Sequence, residues 1–250
     1  MRWKFILGLL TTCAVLMSMS YTMLIPFLPM YLIQDLGVVK ADADMWSGAI
    51  FAITFLVSGI MAPIWGALAD KKSRKLMALR AGFCLAITYF LGGLVTNPWE
   101  LLGVRFIQGL SAGLWPALLA IISVESPKLK LGFCMGVMQG GMTAGGVLGP
   151  LFGGLLADQF GMRMAFFIAA AALFLITLAL LFFVKEEPRK PDPNAKPVKI
   201  WDFSLCKIPA VKRMLICAGV VQLTILMQQP IMPLYVAELQ GSMERIVLIS

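Results

Sequence analysis

An all-α integral membrane fold, a six-helix N-terminal bundle followed by the start of a second bundle, is predicted by three features of this 250-residue sequence. Hydrophobic residues make up 60% of it and charged residues only 14%, more apolar content than one soluble core uses. The apolar residues come in runs of twenty or more, long enough to cross about 30 Å of hydrocarbon as helix. Lys and Arg fall in short segments between those runs rather than on one polar face, as they do where loops flank membrane spans. Strand-sized alternating segments are absent, which argues against a β-barrel.

Taken in order, the runs are 5–33, 46–69, 76–96, 99–122, 132–157, 164–184 and 214–236, with an eighth beginning near 246. The first begins after Arg2 and Lys4 but continues to Pro26, Pro29 and Tyr31; it is too long for the about 7–15-residue apolar region of a signal peptide and reads as an uncleaved helix. With a cytoplasmic N-terminus, the inside segments hold seventeen basic residues: Arg2, Lys4, Lys71, Lys72, Arg74, Lys75, Arg80, Lys128, Lys130 and the eight between 185 and 213. The outside loops hold three, Lys40, Arg163 and Arg245. That asymmetry sets the expected orientation, in an inner or plasma membrane. Arg105 remains, inside the fourth run.

The stretch 185–213 is charged and proline-rich, as a cytoplasmic linker is, so the expected organisation is a bundle over 1–184, a linker over 185–213 and a second bundle starting at 214–250. Residues 198–203 fit either a short surface helix or a plain loop. The net charge of +8 is spread over loops, which argues against nucleic-acid binding. The five cysteines, Cys13, Cys84, Cys134, Cys206 and Cys217, have no C-x-x-C or metal spacing, and all but Cys206 lie in or beside apolar runs as small hydrophobes. Histidine is absent, so His-based catalysis, His metal ligation and a His relay are excluded within this chain. No cofactor and no metal are expected, and no nucleophile, base or metal cluster gathers within a span as an enzyme requires.

Two internal repeats bear on architecture. PFLPMYL (Pro26 to Leu32) in the first run and PIMPLYV (Pro230 to Val236) in the seventh share the spacing of two prolines and a tyrosine. GALADKKSRK (Gly66 to Lys75) closes the second run and GLLADQFGMR (Gly154 to Arg163) the fifth, on opposite sides of the membrane. A parallel repeat of six-helix units, each an inverted repeat of three plus three, accounts for both. The second unit then needs further helices, so the chain is expected to be part of a protein of about twelve spans.

Three motifs carry a resemblance. The loop Gly66 to Lys75, with Asp70, Lys71, Arg74 and Lys75, resembles the loop 2–3 motif of the major facilitator superfamily, with Ser73 where that family usually has Gly. A carboxylate at a helix end facing cations makes a latch that one conformation satisfies and another breaks, although a purely topogenic basic loop has the same composition. In the fourth run LLGVRFIQGLSAG, with Arg105, Gln108 and Gly109, resembles the motif of proton-coupled members. A guanidinium in a span is expensive and needs protein or water beside it; Arg105 either faces a cavity with Gln108 or snorkels about 9 Å to the outer end near Trp99. In the fifth run GGVLGPLFGGLL, with Gly145, Gly149, Pro150, Gly153 and Gly154, resembles the antiporter motif. Spacing of four gives a small-residue packing face, and Pro150 removes a backbone bond.

The resemblance covers nearly the whole chain and is nearest to twelve-span drug:proton antiporters. It implies export of small lipophilic compounds with protons and membrane lipid as partners, in a monomer. Every Asp and Glu lies in a loop or at a span end, unlike antiporters with a carboxylate deep in the first helix; the candidate proton carriers are Asp35 and Glu100 at the outer ends, or an acid in the expected further helices of the second unit. The candidate cavity residues are Tyr21, Gln139, Met142, Gln222 and Gln228 beside Arg105 and Gln108, in a chain whose seventeen methionines suit a pocket that re-packs. Two rival functions share these spans: an uptake transporter for a sugar or organic anion, and a non-transporting membrane receptor or scaffold.

Overall fold

The computed structural model describes residues 2–71, 73–184, 209 and 211–224, with the side chains of Arg2, Asp70 and Lys71 outside the described set. The chain divides into two units, Met1–Ile200 and Trp201–Ser250. Within the first, eight α-helices are described: α1 (Arg2–Met23), α2 (Leu28–Gln34), α3 (Ala43–Lys71), α4 (Arg74–Leu94), α5 (Pro98–Leu110), α6 (Leu114–Glu125), α7 (Leu131–Phe160) and α8 (Met162–Phe183). They make six spans long and apolar enough to cross a membrane. Span one is α1 with α2, span four is α5 with α6, and α3, α4, α7 and α8 are the others. In the second unit residues 211–224 are helical, which covers the start of the seventh run; its remainder, the eighth run, most of the linker and the Pro230 to Val236 repeat lie outside the described residues.

Spans one and four, each a single apolar run in the sequence, are each broken in two. Span one breaks over 24–27 because Pro26 and Pro29 lack N–H groups for the carbonyls of Thr22 and Ile25; Ile25 N–H donates to Thr22 O at 3.3 Å instead. Span four breaks over 111–113, where Gly113 has φ +120°, a conformation that only glycine adopts without strain.

These breaks belong to a symmetry. Exchanging spans one and four, two and five, three and six superposes like on like: two broken spans, two long proline-containing helices of 29 and 30 residues, and two plain helices of 21 and 22. The three most extensive packings, α1 on α7, α4 on α8 and α3 on α5, also obey it, since one-on-five maps to four-on-two and three-on-six to itself. The inverted repeat read from GALADKKSRK and GLLADQFGMR therefore extends to helix breaks and helix neighbours.

Lipid tails are as apolar as leucine, so these helices associate by packing and interhelical hydrogen bonds rather than by the hydrophobic effect. Spans three and six meet where Gly82 and Gly92 leave room for Thr177 and Phe166. Phe166 sits between two tyrosines, 5.2 Å from Tyr31 and 6.3 Å from Tyr89. Their hydroxyls pin span one to span three: Tyr31 donates to Gly92 O at 2.9 Å and Tyr89 to Ser20 O at 3.0 Å. Such bonds average about 0.6 kcal/mol in membranes, so they orient the spans while packing holds them. Cys13 and Cys134 are buried in this core, as read from the sequence, whereas Cys217 on residues 211–224 is exposed.

A Cβ at Gly92 would stand 2.8 Å from the Phe166 ring, whereas Gly59 has nothing within 4 Å. Gly92→Leu is expected to lower the unfolding midpoint of the detergent-solubilised protein, by overpacking of about 1–3 kcal/mol, and Gly59→Leu to leave it unchanged. Differential scanning fluorimetry on both variants checks this.

Candidate functional site

α5 buries Leu101, Arg105, Gln108 and Gly109, positions that share one helical face. Arg105 is 5% and Gln108 7% exposed, and Arg105 Nη1 donates to Gln108 Oε1 at 2.9 Å. The guanidinium therefore stays inside the bundle; the snorkelling alternative is not the arrangement adopted. Gly109 lets α5 approach α3, because a Cβ there would lie 2.8 Å from Thr54 O. Thr54 Oγ1 in turn bonds Ile50 O at 2.9 Å.

Arg105 and Gln108 border a void too narrow to hold a water molecule, together with Thr88, Tyr89 and Phe166. The Arg105 charge acts on the hydroxyls of both Tyr89 and Tyr21. Tyr89 has its acceptor in Ser20 O. The Tyr21 hydroxyl is buried with no hydrogen-bond partner, its ring edge-on to Phe55 at 6.3 Å. An orphaned buried hydroxyl costs about 1–3 kcal/mol. Two tyrosines, a guanidinium and a carboxamide thus converge from spans one, three and four.

Gln139 is exposed and Met142 half-buried on α7, and neither borders the void beside Arg105. Gln222 is exposed on residues 211–224 of the second unit, and Gln228 lies outside the described residues.

The glycine motif of α7 is a contact surface for α1. Gly145, Gly149 and Gly153 are buried, and added Cβ atoms would meet the backbone of Val15, Met19 and Met23. The stripe starts one turn earlier than the motif, since a Cβ at Gly141 would stand 2.6 Å from Thr11 Cγ2; the spacing of four held that signal. Gly154 faces the Phe27 ring, 3.2 Å from where its Cβ would be. Pro150 is inside a continuous α7, which it does not break.

At the loop between α3 and α4, Gly66 is exposed near the end of α3; the Asp70 and Lys71 side chains lie outside the described residues. Lys75 Nζ donates to Leu181 O at 2.6 Å, tying the loop to the end of span six; a lysine there complements the negative end of α8. Ser73 takes a definite role where a glycine was expected: its Oγ accepts from Leu76 N–H at 3.1 Å as the N-cap of α4. At the opposite end Arg163 Nε pairs with Asp35 Oδ1 at 3.2 Å. Glu100 Oε2 accepts from Thr96 N–H at 2.8 Å while Asn97 Oδ1 accepts from Glu100 N–H, a reciprocal cap on α5. Both of these candidate proton carriers thus have structural partners.

Arg80 is the residue that sequence reading misplaced. Counted there with the loop cations, it belongs to the second turn of α4, half-buried against Trp65 with its Cζ 3.4 Å from the ring centroid. Arg80 falls within the run 76–96 while its charge groups it with the inside cations; the neighbouring indole is what holds the cation inside the span.

Gly149→Ala and Gly153→Ala are each expected to destabilise the bundle by about 1–3 kcal/mol, because the added methyl meets α1 backbone that cannot give way. At Gly146 the nearest atom, Ser18 Oγ, is 3.5 Å away, and alanine is expected to be neutral. Thermal unfolding in detergent separates the two outcomes.

Comparison with known proteins places this geometry. The family model described as Major Facilitator Superfamily matches residues 10–249. Over its full length the chain is 38% identical to the multidrug resistance protein MdtG of Citrobacter koseri, covering 62% of that protein. It is 36% identical to the MdtG of Yersinia enterocolitica, covering 60% of it. Among solved structures, a bacterial homologue of the human lysosomal transporter Spinster, in an inward-facing unoccupied conformation, aligns with TM-score 0.66 at 23% identity, over 82% of this chain and 48% of that one; this is a likeness of fold. The chain, which spans about 62% of the length of its curated relative from Citrobacter, is a multi-pass membrane protein that belongs to the Major Facilitator Superfamily.

Proposed function

We propose that the chain provides the six-helix N-terminal bundle and the start of the second bundle of a proton-driven exporter of small lipophilic compounds. It works by alternating access as a monomer in a bacterial inner membrane, with its N-terminus cytoplasmic. Residues 1–184 form the first bundle, 185–213 the cytoplasmic linker and 214–250 the opening of the second. The observation that carries this reading is the identity of 36% to 38% with multidrug resistance proteins along the entire chain.

The site geometry supports it. A desolvated guanidinium inside a span costs about 2.5–3.5 kcal/mol on insertion scales, and Arg105 retains it with the neutral Gln108 carboxamide as a bonded partner. A cation so placed biases any proton or anion entering the polar cluster, and the Tyr21 hydroxyl offers a substrate its unused hydrogen bond. Gln139, Met142, Gln222 and Gln228 complete the cavity in this reading. The loop from Gly66 to Lys75, with Asp70 against Lys71, Arg74 and Lys75, serves as the conformational latch, and the α7 glycines keep span five against span one as the bundle rocks. The role is transport rather than catalysis.

Drug efflux from inverted vesicles of the complete protein, at matched expression, tests this. Lys at 105 keeps the charge but loses the planar fork, so Arg105→Lys is expected to lower efflux about tenfold, the equivalent of 1.4 kcal/mol, and Arg105→Ala further. Asp70→Asn is expected to reduce efflux strongly with membrane insertion intact. Wild-type efflux in both Arg105 variants would remove that residue from the site.

A further inference from the structure

The break in span four frees backbone carbonyls from helical partners, those of Leu110 and Ala112 among them. Leu110 O would need the amide of residue 114, which starts α6 beyond the Gly113 turn; Ala112 O would need that of residue 116, which is a proline. In hydrocarbon each such orphan costs several kcal/mol. Neither is left open. Trp65 Nε1 of α3 donates to Leu110 O at 2.8 Å, and Arg80 Nη2 of α4 donates to Ala112 O at 3.1 Å. The two donors are stacked, with the guanidinium 3.4 Å over the indole, a contact that is strengthened when desolvated. A positive charge also suits the C-terminal end of α5. At the symmetric break in span one, Ile25 N–H donates to Thr22 O and the neutral Tyr89 hydroxyl to Ser20 O, so a charged donor at the break distinguishes the second repeat.

We propose that Trp65 and Arg80 form a clamp on the hinge of span four, and that through it the loop 2–3 motif sets the direction of α5 and hence the position of Arg105 and Gln108. Trp65 immediately precedes Gly66, the first residue of that motif, and Arg80 lies five residues beyond Lys75, the last. A movement of the α3 and α4 ends that flank the loop is therefore carried to Leu110 and Ala112, a turn or less beyond Gln108. Trp65 and Arg80 are positioning residues, acting through α5. The proposal rests on the role given above to Arg105, while the clamp itself can be tested without it.

The decisive variant is Trp65→Phe, which keeps a ring beneath Arg80 and removes only the N–H; Arg80→Met removes the other donor. Hydrogen–deuterium exchange of the purified complete transporter is expected to show faster exchange across 110–117 in both variants, with α7 and α8 unchanged. Unaltered exchange at 110–117, or a rise shared by α7 and α8, would overturn the clamp. For transport, Trp65→Phe is expected to lower drug efflux about fivefold alone and by less than about twofold in an Arg105→Lys background, since residues acting through one another are non-additive. Additive losses would overturn the link to Arg105. Absence of efflux in the wild type would sink the functional reading and not the clamp, which the exchange pattern decides on its own.

Discussion

A backbone in hydrocarbon must satisfy its own N–H and C=O groups, and an unbroken helix is the simplest way to do so. Two of the six spans give up that solution. Span one opens at 24–27 and span four at 111–113, and much of the polar chemistry of the first unit lies close to these openings. Tyr21 is just before the first, the Asp35–Arg163 pair follows its short second helix, and Arg105 and Gln108 come just before the second. Trp65 and Arg80 are committed to closing it. A break is tolerable only where neighbouring helices supply donors, so the openings dictate which residues of spans two and three can be polar.

The inverted symmetry explains why openings come in pairs and how the bundle holds around them. Broken spans one and four each pack along a long proline-containing helix of the other repeat, and close approach there depends on small residues. On α7 this is the stripe Gly141, Gly145, Gly149 and Gly153 against α1; on the α3–α5 contact it is Gly109 against Thr54 and Val57. The symmetry is one of backbone, not of chemistry: the polar cluster and the charged clamp both draw on α4 and span four, and the α7 stripe is longer than its counterpart.

Charge is used sparingly and with fixed partners. Arg105 bonds Gln108, Arg163 pairs with Asp35 and Arg80 caps a carbonyl over Trp65. In low dielectric an unpaired polar group is costly, and the buried Tyr21 hydroxyl is such a group among the described residues.

The sequence by itself determined the solvent, the order of the first six spans, and the inverted repeat, because apolar runs of twenty residues and a duplicated Gly-to-Asp segment are local signals that survive without coordinates. It also marked Arg105, Gln108 and the α7 glycines, since spacing of three and four puts residues on one helix face. The tertiary structure alone decided where the two broken spans open, since proline and glycine announce irregularity but not which neighbour will satisfy the freed carbonyls. It also decided that the Arg105 head turns inward, that Gln139 stands apart from the cluster, and that Arg80 belongs to the bundle rather than to a loop. Each of these depends on a partner far away in the chain, as Arg80 depends on Trp65 and Ala112, and such pairings arise only when helices from different parts of the sequence are packed together.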